Sequence, residues 1–124
     1  MNYVKLVINN INYYWCDRSD TIEMCILGRF LASDVGCYWP SFKEWIFNEP
    51  SLYTGGNITN LEKEGDCIII SDQFSEKPDG GPYFKVSKQA FYDLLSDWEK
   101  TCKQKPNEVL ITYDGHKFEI KSGN

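Results

Sequence analysis

His116 is the chain's one histidine, and it stands beside Gly115 in a stretch that reads as a tight turn. Nucleophilic catalysis of the Ser-His-Asp or Cys-His kind needs a base held against its nucleophile. A turn histidine is not held in that way, so a solvated side chain is expected rather than a catalytic one. Five cysteines, Cys16, Cys25, Cys37, Cys67 and Cys102, are odd in number, and no two form a C-x-x-C pair. Neither a zinc site nor a disulfide framework is expected from that spacing. Free, mostly buried thiols in a reducing cytosol are the simpler account. The H-E-x-x-H, EF-hand and P-loop patterns do not occur. Gly55-Gly56 and Gly80-Gly81 are too short to cradle a phosphate and have no lysine at the required offset. No catalytic residue, metal or cofactor is therefore assigned.

Carboxylates are the remaining chemistry. Between Glu62 and Asp79 lie Glu62, Glu64, Asp66, Asp72, Glu76 and Asp79 against only Lys63 and Lys77, which is nearly the whole formal net charge of −5. Hard-cation loops space their ligands regularly around a glycine, and this stretch does not. Glu62, Glu64 and Asp66 are two apart, which places them on one side of an extended strand. That spacing also marks a solvated sheet edge that resists aggregation. Phe74 and Tyr83 flank the acidic stretch, and Trp39 and Tyr53 could approach it in space. Protein interfaces place aromatic anchors at the centre and charge at the rim, and an acidic rim speeds capture of a basic partner. The partner-binding candidates are Glu62, Glu64, Asp66, Asp72, Phe74, Glu76 and Asp79. The competing account is that the aromatics fill the core while the acids keep the surface wet.

Composition narrows the classes further. An acidic balance argues against direct nucleic-acid binding, which rests on clustered Lys and Arg. No apolar run reaches the ~18 residues that crossing a bilayer requires, and the first ten residues lack the basic start and cleavage site of a signal peptide. A cytoplasmic protein, monomeric or weakly dimeric, is expected.

The elements that would carry these residues follow from periodicity. Val4, Leu6 and Ile8 alternate with Tyr3, Lys5 and Val7 as a strand, and Asn9-Asn10 turns it into a second at Ile11–Cys16. Asp17 to Asp20 reads as a turn. For Thr21 to Ala32, the alternation of Ile22, Met24 and Ile26 favours a third strand with Gly28 at a bulge, against a short helix. Ser41 and Glu44 form a capping box for a helix that Pro50 ends near Asn48, with Phe42, Trp45 and Ile46 inward. Ser51 to Gly56 is turn-rich, Ile58–Leu61 a short strand, and Cys67–Ile70 a central strand. Tyr83–Val86 enters a long helix from Ser87 to about Lys103, where Phe91, Leu94, Leu95, Trp98 and Cys102 share one stripe. Val109–Tyr113 and Lys117–Lys121 flank Asp114-Gly115 as a hairpin. One α+β domain over 1–124 is expected, mainly an antiparallel sheet of about six to eight strands with the long helix on a face.

The run from Phe84 to Lys100 (FKVSKQAFYDLLSDWEK), with Lys105-Pro106-Asn107-Glu108-Val109-Leu110-Ile111 after it, resembles bacterial immunity proteins of polymorphic-toxin and contact-dependent growth-inhibition systems. Phe42-Lys43-Glu44-Trp45-Ile46-Phe47-Asn48 is similar to the same group. The likeness covers roughly the last 45 residues and that short segment. It implies a non-catalytic cytosolic protein that binds the toxic domain of a cognate effector, often a basic nuclease, and occludes its active or substrate-binding surface. No functional residue transfers, because the toxin-binding face differs between pairs. The alternative is a small-ligand or regulatory domain with an aromatic-lined pocket between sheet and helix.

Overall fold

A computed structural model describes residues 1–8, 13–36, 41–56, 58–72 and 82–123. The expected turn at Asn9-Asn10, Cys37, Trp39 and the site candidates Phe74, Glu76 and Asp79 lie outside the described residues.

Among those residues, eight strands form two antiparallel sheets of four. The first sheet runs β2 (Tyr14–Ser19), β1 (Asn2–Ile8), β7 (Glu108–Tyr113), β8 (Phe118–Gly123). The second runs β3 (Tyr53–Gly55), β4 (Thr59–Glu64), β5 (Cys67–Asp72), β6 (Tyr83–Ser87). The α+β class and strand number are as expected, but one sheet has become two. The physical reason is pairing across the chain: β1 takes β7 as its inner neighbour, with Val4 opposite Ile111 and Leu6 opposite Val109.

Between the sheets lie α1 (Ile22–Arg29) and α3 (Lys88–Gln104), each touching strands of both. α2 (Ser41–Asn48) packs on α3, where Lys43 Nζ meets Glu99 at 3.2 Å and Phe47 meets Tyr92 at 5.5 Å between ring centres. Phe84 of β6 reaches Tyr113 of β7 edge-on at 5.3 Å, joining the sheets directly along one side. The core is the sum of the inward faces: Val4, Leu6, Val109 and Ile111 from one sheet, Leu61, Ile68, Ile70 and Val86 from the other, all buried.

α3 forms as its stripe requires. Ser87 accepts from the Ala90 amide at 3.1 Å, and Phe91, Leu94, Leu95, Trp98 and Cys102 are buried. Lys105 ends the helix in the left-handed conformation at φ 50°, and the Trp98 indole donates to the Gly36 carbonyl at 2.8 Å. In the closing hairpin, Asp114 accepts from the amides of His116 at 2.8 Å and Lys117 at 2.9 Å. Gly115, at φ 98°, takes the conformation side chains avoid.

The stretch 21–32 departs from expectation. It is helical, running from α1 into a π-helical segment Phe30–Val35. Thr21 caps it, its hydroxyl accepting from the Met24 amide at 3.2 Å, and Met24, Leu27 and Leu31 then recur at helical spacing and are fully buried. Gly28 marks a close approach rather than a bulge: a Cβ there would lie 2.7 Å from Val4 Cγ2. Two smaller corrections follow the same logic of long-range pairing. β2 extends to Ser19 through the expected turn, paired to β1 across a register shift. Residues 53–55 form a strand because Tyr53 pairs with Glu62 and Gly55 with Asn60.

The C-terminal segment of the π-helix is tied down by Asp34. Its carboxylate accepts from the amides of Ile58 and Thr59, each at 3.1 Å, and from the Thr59 hydroxyl. Gly56 leaves room for it, since a Cβ there would collide with the carboxylate.

Candidate functional site

Each sheet buries one face, and no described helix covers the other. In the second sheet, period-two alternation sends Ile68 and Ile70 inward and Cys67, Ile69 and Ser71 outward. The register then builds the open face in rows. One row is Tyr53–Glu62–Ile69–Lys85, from β3 to β6. Its neighbours are Gly55–Asn60–Ser71–Tyr83 and Glu64–Cys67–Ser87. Tyr53 is 67% exposed and Tyr83 56% exposed, while Leu52, just before β3, is 56% exposed. Together they give this face and its edge three large exposed side chains.

The charges on this face are partly matched. Lys85 bonds Glu64 at 3.0 Å, and that contact raises the lysine's pKa above its ordinary value. The Tyr53 hydroxyl bonds Glu62, and the carboxylate raises the phenol's pKa. Lys63 points the other way, its ammonium on the Glu49 carbonyl at 2.6 Å and 4.7 Å above the Trp45 ring. Loss of water there lowers its pKa, with Lys88 adding to the effect.

Of the residues expected to bind a partner, Glu62 and Glu64 are brought together on this face. Asp66 sits exposed in the β4–β5 turn beside it, and its carbonyl accepts from the Lys88 amide at 2.8 Å. Asp72 is not with them. It pairs opposite buried Thr59, on the inward side shared with Ile68 and Ile70, and meets Arg29 at 3.6 Å. The strand period that unites Glu62 with Glu64 therefore separates Asp72 from both. Tyr53, expected to approach the acidic stretch in space, does so as the strand partner of Glu62, although the sequence did not place it among the partner-binding residues.

His116 lies exposed in the β7–β8 turn. Among the described residues no three His, Cys, Asp or Glu side chains gather as a metal site, and no helix is long and apolar enough to cross a membrane. Cys16, Cys25 and Cys67 are free. Cys102 is disulfide-bonded, which corrects the expectation of free thiols throughout. The spacing argument failed because a disulfide needs only two Cα atoms within ~4.4–6.8 Å, whatever their separation in sequence. Burial and the adjacent Cys25 push the Cys16 thiol up to about 11.

Among the described residues, one surface groove crosses an outer sheet face and another opens where α3 meets the start of β8. One, of about 320 Å3, crosses the open face of the first sheet around Lys5, Arg18 and Lys121. The other, of about 380 Å3, lies between α3 and the β7–β8 turn around Asp93, Asp97, Lys100 and Lys117. Compared with protein-family models, with curated proteins and with solved structures, the chain matches none.

Proposed function

We propose that this is an immunity-type inhibitor that binds a basic protein domain, of the kind found in toxic nucleases, through the open face of the β3–β4–β5–β6 sheet. The observation that carries the reading is the exposed row Tyr53–Glu62–Ile69–Lys85, flanked by Tyr83, Leu52 and Glu64. Glu62 and Ile69 stand on the two inner strands, with Tyr53 and Leu52 at one edge and Tyr83 at the other, so a partner laid across the face would meet carboxylate and apolar groups together. The net charge of −5, concentrated between residues 62 and 79, favours encounter with a basic surface. Glu62 and Glu64 would meet Lys and Arg that otherwise hold nucleic-acid phosphate. Catalysis by the chain itself forms no part of the reading. Cytoplasmic residence does, and the Cys102 disulfide weighs against it, because disulfides persist mainly in oxidising compartments.

The test takes the C-terminal domain encoded by the large open reading frame immediately upstream, expressed as a catalytically dead variant, and titrates it calorimetrically. The expected result is one-to-one nanomolar binding that Glu62→Lys with Glu64→Lys weakens at least tenfold, chiefly through slower association, and that Tyr53→Ala weakens through faster dissociation. Tight binding untouched by all three substitutions, with circular dichroism confirming the fold, would move the interface elsewhere. No binding at all would overturn the immunity reading.

A further inference from the structure

The open face of the first sheet has the opposite chemistry. Register places Arg18 of β2 opposite Lys5 of β1, Lys5 opposite Leu110 of β7, and Leu110 opposite Lys121 of β8. Three cations thus stand in a single row across all four strands, spanning about 14 Å at the usual strand spacing. Leu110 is the only side chain in the row without a charge. All four residues line the groove of about 320 Å3, together with Glu108, Val109, Ser122 and Gly123.

Three features set this row apart from ordinary surface charge. Like charges directly opposite one another across two strands work against the sheet, and Lys5 with Arg18 is such a pair. Relief comes from a single acid, Glu108, which reaches Lys5 at 2.9 Å. Among the described residues neither Arg18 nor Lys121 has a carboxylate within ion-pair distance. Finally, the groove depends on a missing side chain. A Cβ at Gly123 would lie 2.8 Å from Glu108 Cγ, so glycine there lets Glu108 lie flat on β8 as part of the floor.

We infer that this groove binds a small organic dianion, a phosphate monoester or a dicarboxylate, between Arg18 and Lys121 with its carbon skeleton on Leu110. Arg18 offers the paired N–H donors that match the oxygens of either group. Lys121 supplies a second charge across the groove, and Leu110 gives the apolar floor that distinguishes an organic ion from chloride. Lys5 is held in reserve by Glu108, so it joins the ligand only by exchanging one anion for another. A volume near 320 Å3 is at the small end of ligand sites, suited to a molecule of metabolite size rather than a nucleotide or polymer. This face is opposite in chemistry to the acidic one and is built from other strands, so the inference stands independently of the proposed function.

The test is a two-dimensional amide NMR titration of the full chain with phenyl phosphate, succinate and inorganic phosphate, each against sodium chloride at matched ionic strength. The expected result is saturable one-to-one shifts of the Lys5, Arg18, Leu110 and Lys121 amides with phenyl phosphate or succinate. Whichever binds more tightly names the source of the dianion. The Arg18→Gln/Lys121→Gln variant should bind at least tenfold more weakly, since each lost charge-assisted contact is worth about a factor of ten. Glu108→Gln should bind several-fold more tightly by releasing Lys5, and this gain cannot arise from damaged folding. Shifts reproduced by sodium chloride, unaltered binding in the double variant, or weaker binding in Glu108→Gln would each overturn the assignment.

Discussion

Replacing Gly28 with alanine sets two well-measured effects against each other. In an isolated helix the change would stabilise α1 by about 1 kcal/mol, because glycine has the larger backbone entropy to lose. In this protein the new methyl would lie 2.7 Å from Val4 Cγ2 and 3.3 Å from Leu6 Cδ2, against the ~3.5–4.0 Å at which carbons make favourable contact. Both neighbours are 0% exposed, and a β-branched valine has little rotamer freedom with which to withdraw. Overpacking of a filled site costs ~1–3 kcal/mol, and the stiffness of Val4 argues for the upper half of that range. Subtracting the propensity gain leaves a net loss of about 1–2 kcal/mol. Urea unfolding followed by tryptophan fluorescence should show a midpoint roughly 0.5–1 M lower at an unchanged slope. Combining Gly28→Ala with Val4→Ala should cost less than the sum of the single changes by about 1 kcal/mol, the mark of two residues sharing one space. A midpoint that rises in the single variant would refute the reasoning, because it would mean α1 does not lie against β1 at this point.

Four further outcomes are expected. Tyr14→Phe should cost about 1–2 kcal/mol, because the buried Tyr14 hydroxyl donates to the Pro106 carbonyl at 2.5 Å and its loss leaves that acceptor unpaired; denaturant unfolding reads it. Asp34→Ala should cost about 2–4 kcal/mol and speed hydrogen exchange at the Ile58 and Thr59 amides, which both donate to its carboxylate. Asp114 titrates below the usual aspartate range because the backbone amides of Lys117 and His116 donate to it. A depressed folded-state pKa contributes stability above the unfolded value of ~3.9 that is lost as pH falls through the folded value. Carboxyl-carbon NMR should therefore place its midpoint below that of an ordinary aspartate, with the His116 and Lys117 amides shifting over the same pH range. Cys16, its thiol pushed up to about 11, should react with iodoacetamide at pH 8 about two orders of magnitude more slowly than an unperturbed thiol, as peptide mapping would show.

Local chemistry made much of this fold readable. The five-residue stripe of α3, the inward trio of α2 and the Asp114-Gly115 hairpin are all set by neighbours within a few residues, and all are as expected. The failures share a different cause. In α1, Ile22, Met24 and Ile26 alternate as they would in a strand, but Ile22 is 55% exposed and only Met24 and Ile26 turn inward. The deciding residues, Leu27, Phe30 and Leu31, lie one turn further on, and a threonine such as the capping Thr21 suits a strand as well as a helix cap. The split into two sheets depends on β1 meeting β7 from the far end of the chain, which no local pattern encodes. Half of the site was legible for the same reason that half was not. Glu62 and Glu64 share a strand face by parity, and Asp72, two residues from inward Ile70, was excluded from that face by the same parity. The basic row of the first sheet is not legible in the sequence, because its members are distant along the chain and only register aligns them.

The alternation of the two sheets also divides the protein's freedom to change. In β5, Ile68 and Ile70 are fully enclosed, so altering either disturbs packing on both helices, while Ile69 between them touches no core residue's place. The same holds along β4, where Leu61 is enclosed and its neighbours Asn60 and Glu62 face out. Positions that hold the fold and positions that meet the surroundings are therefore interleaved in sequence yet separate in energetics. A lineage of such chains can rewrite every outward residue of a strand, one at a time, with little cost in stability. The outward faces can then diverge quickly on a scaffold that stays the same.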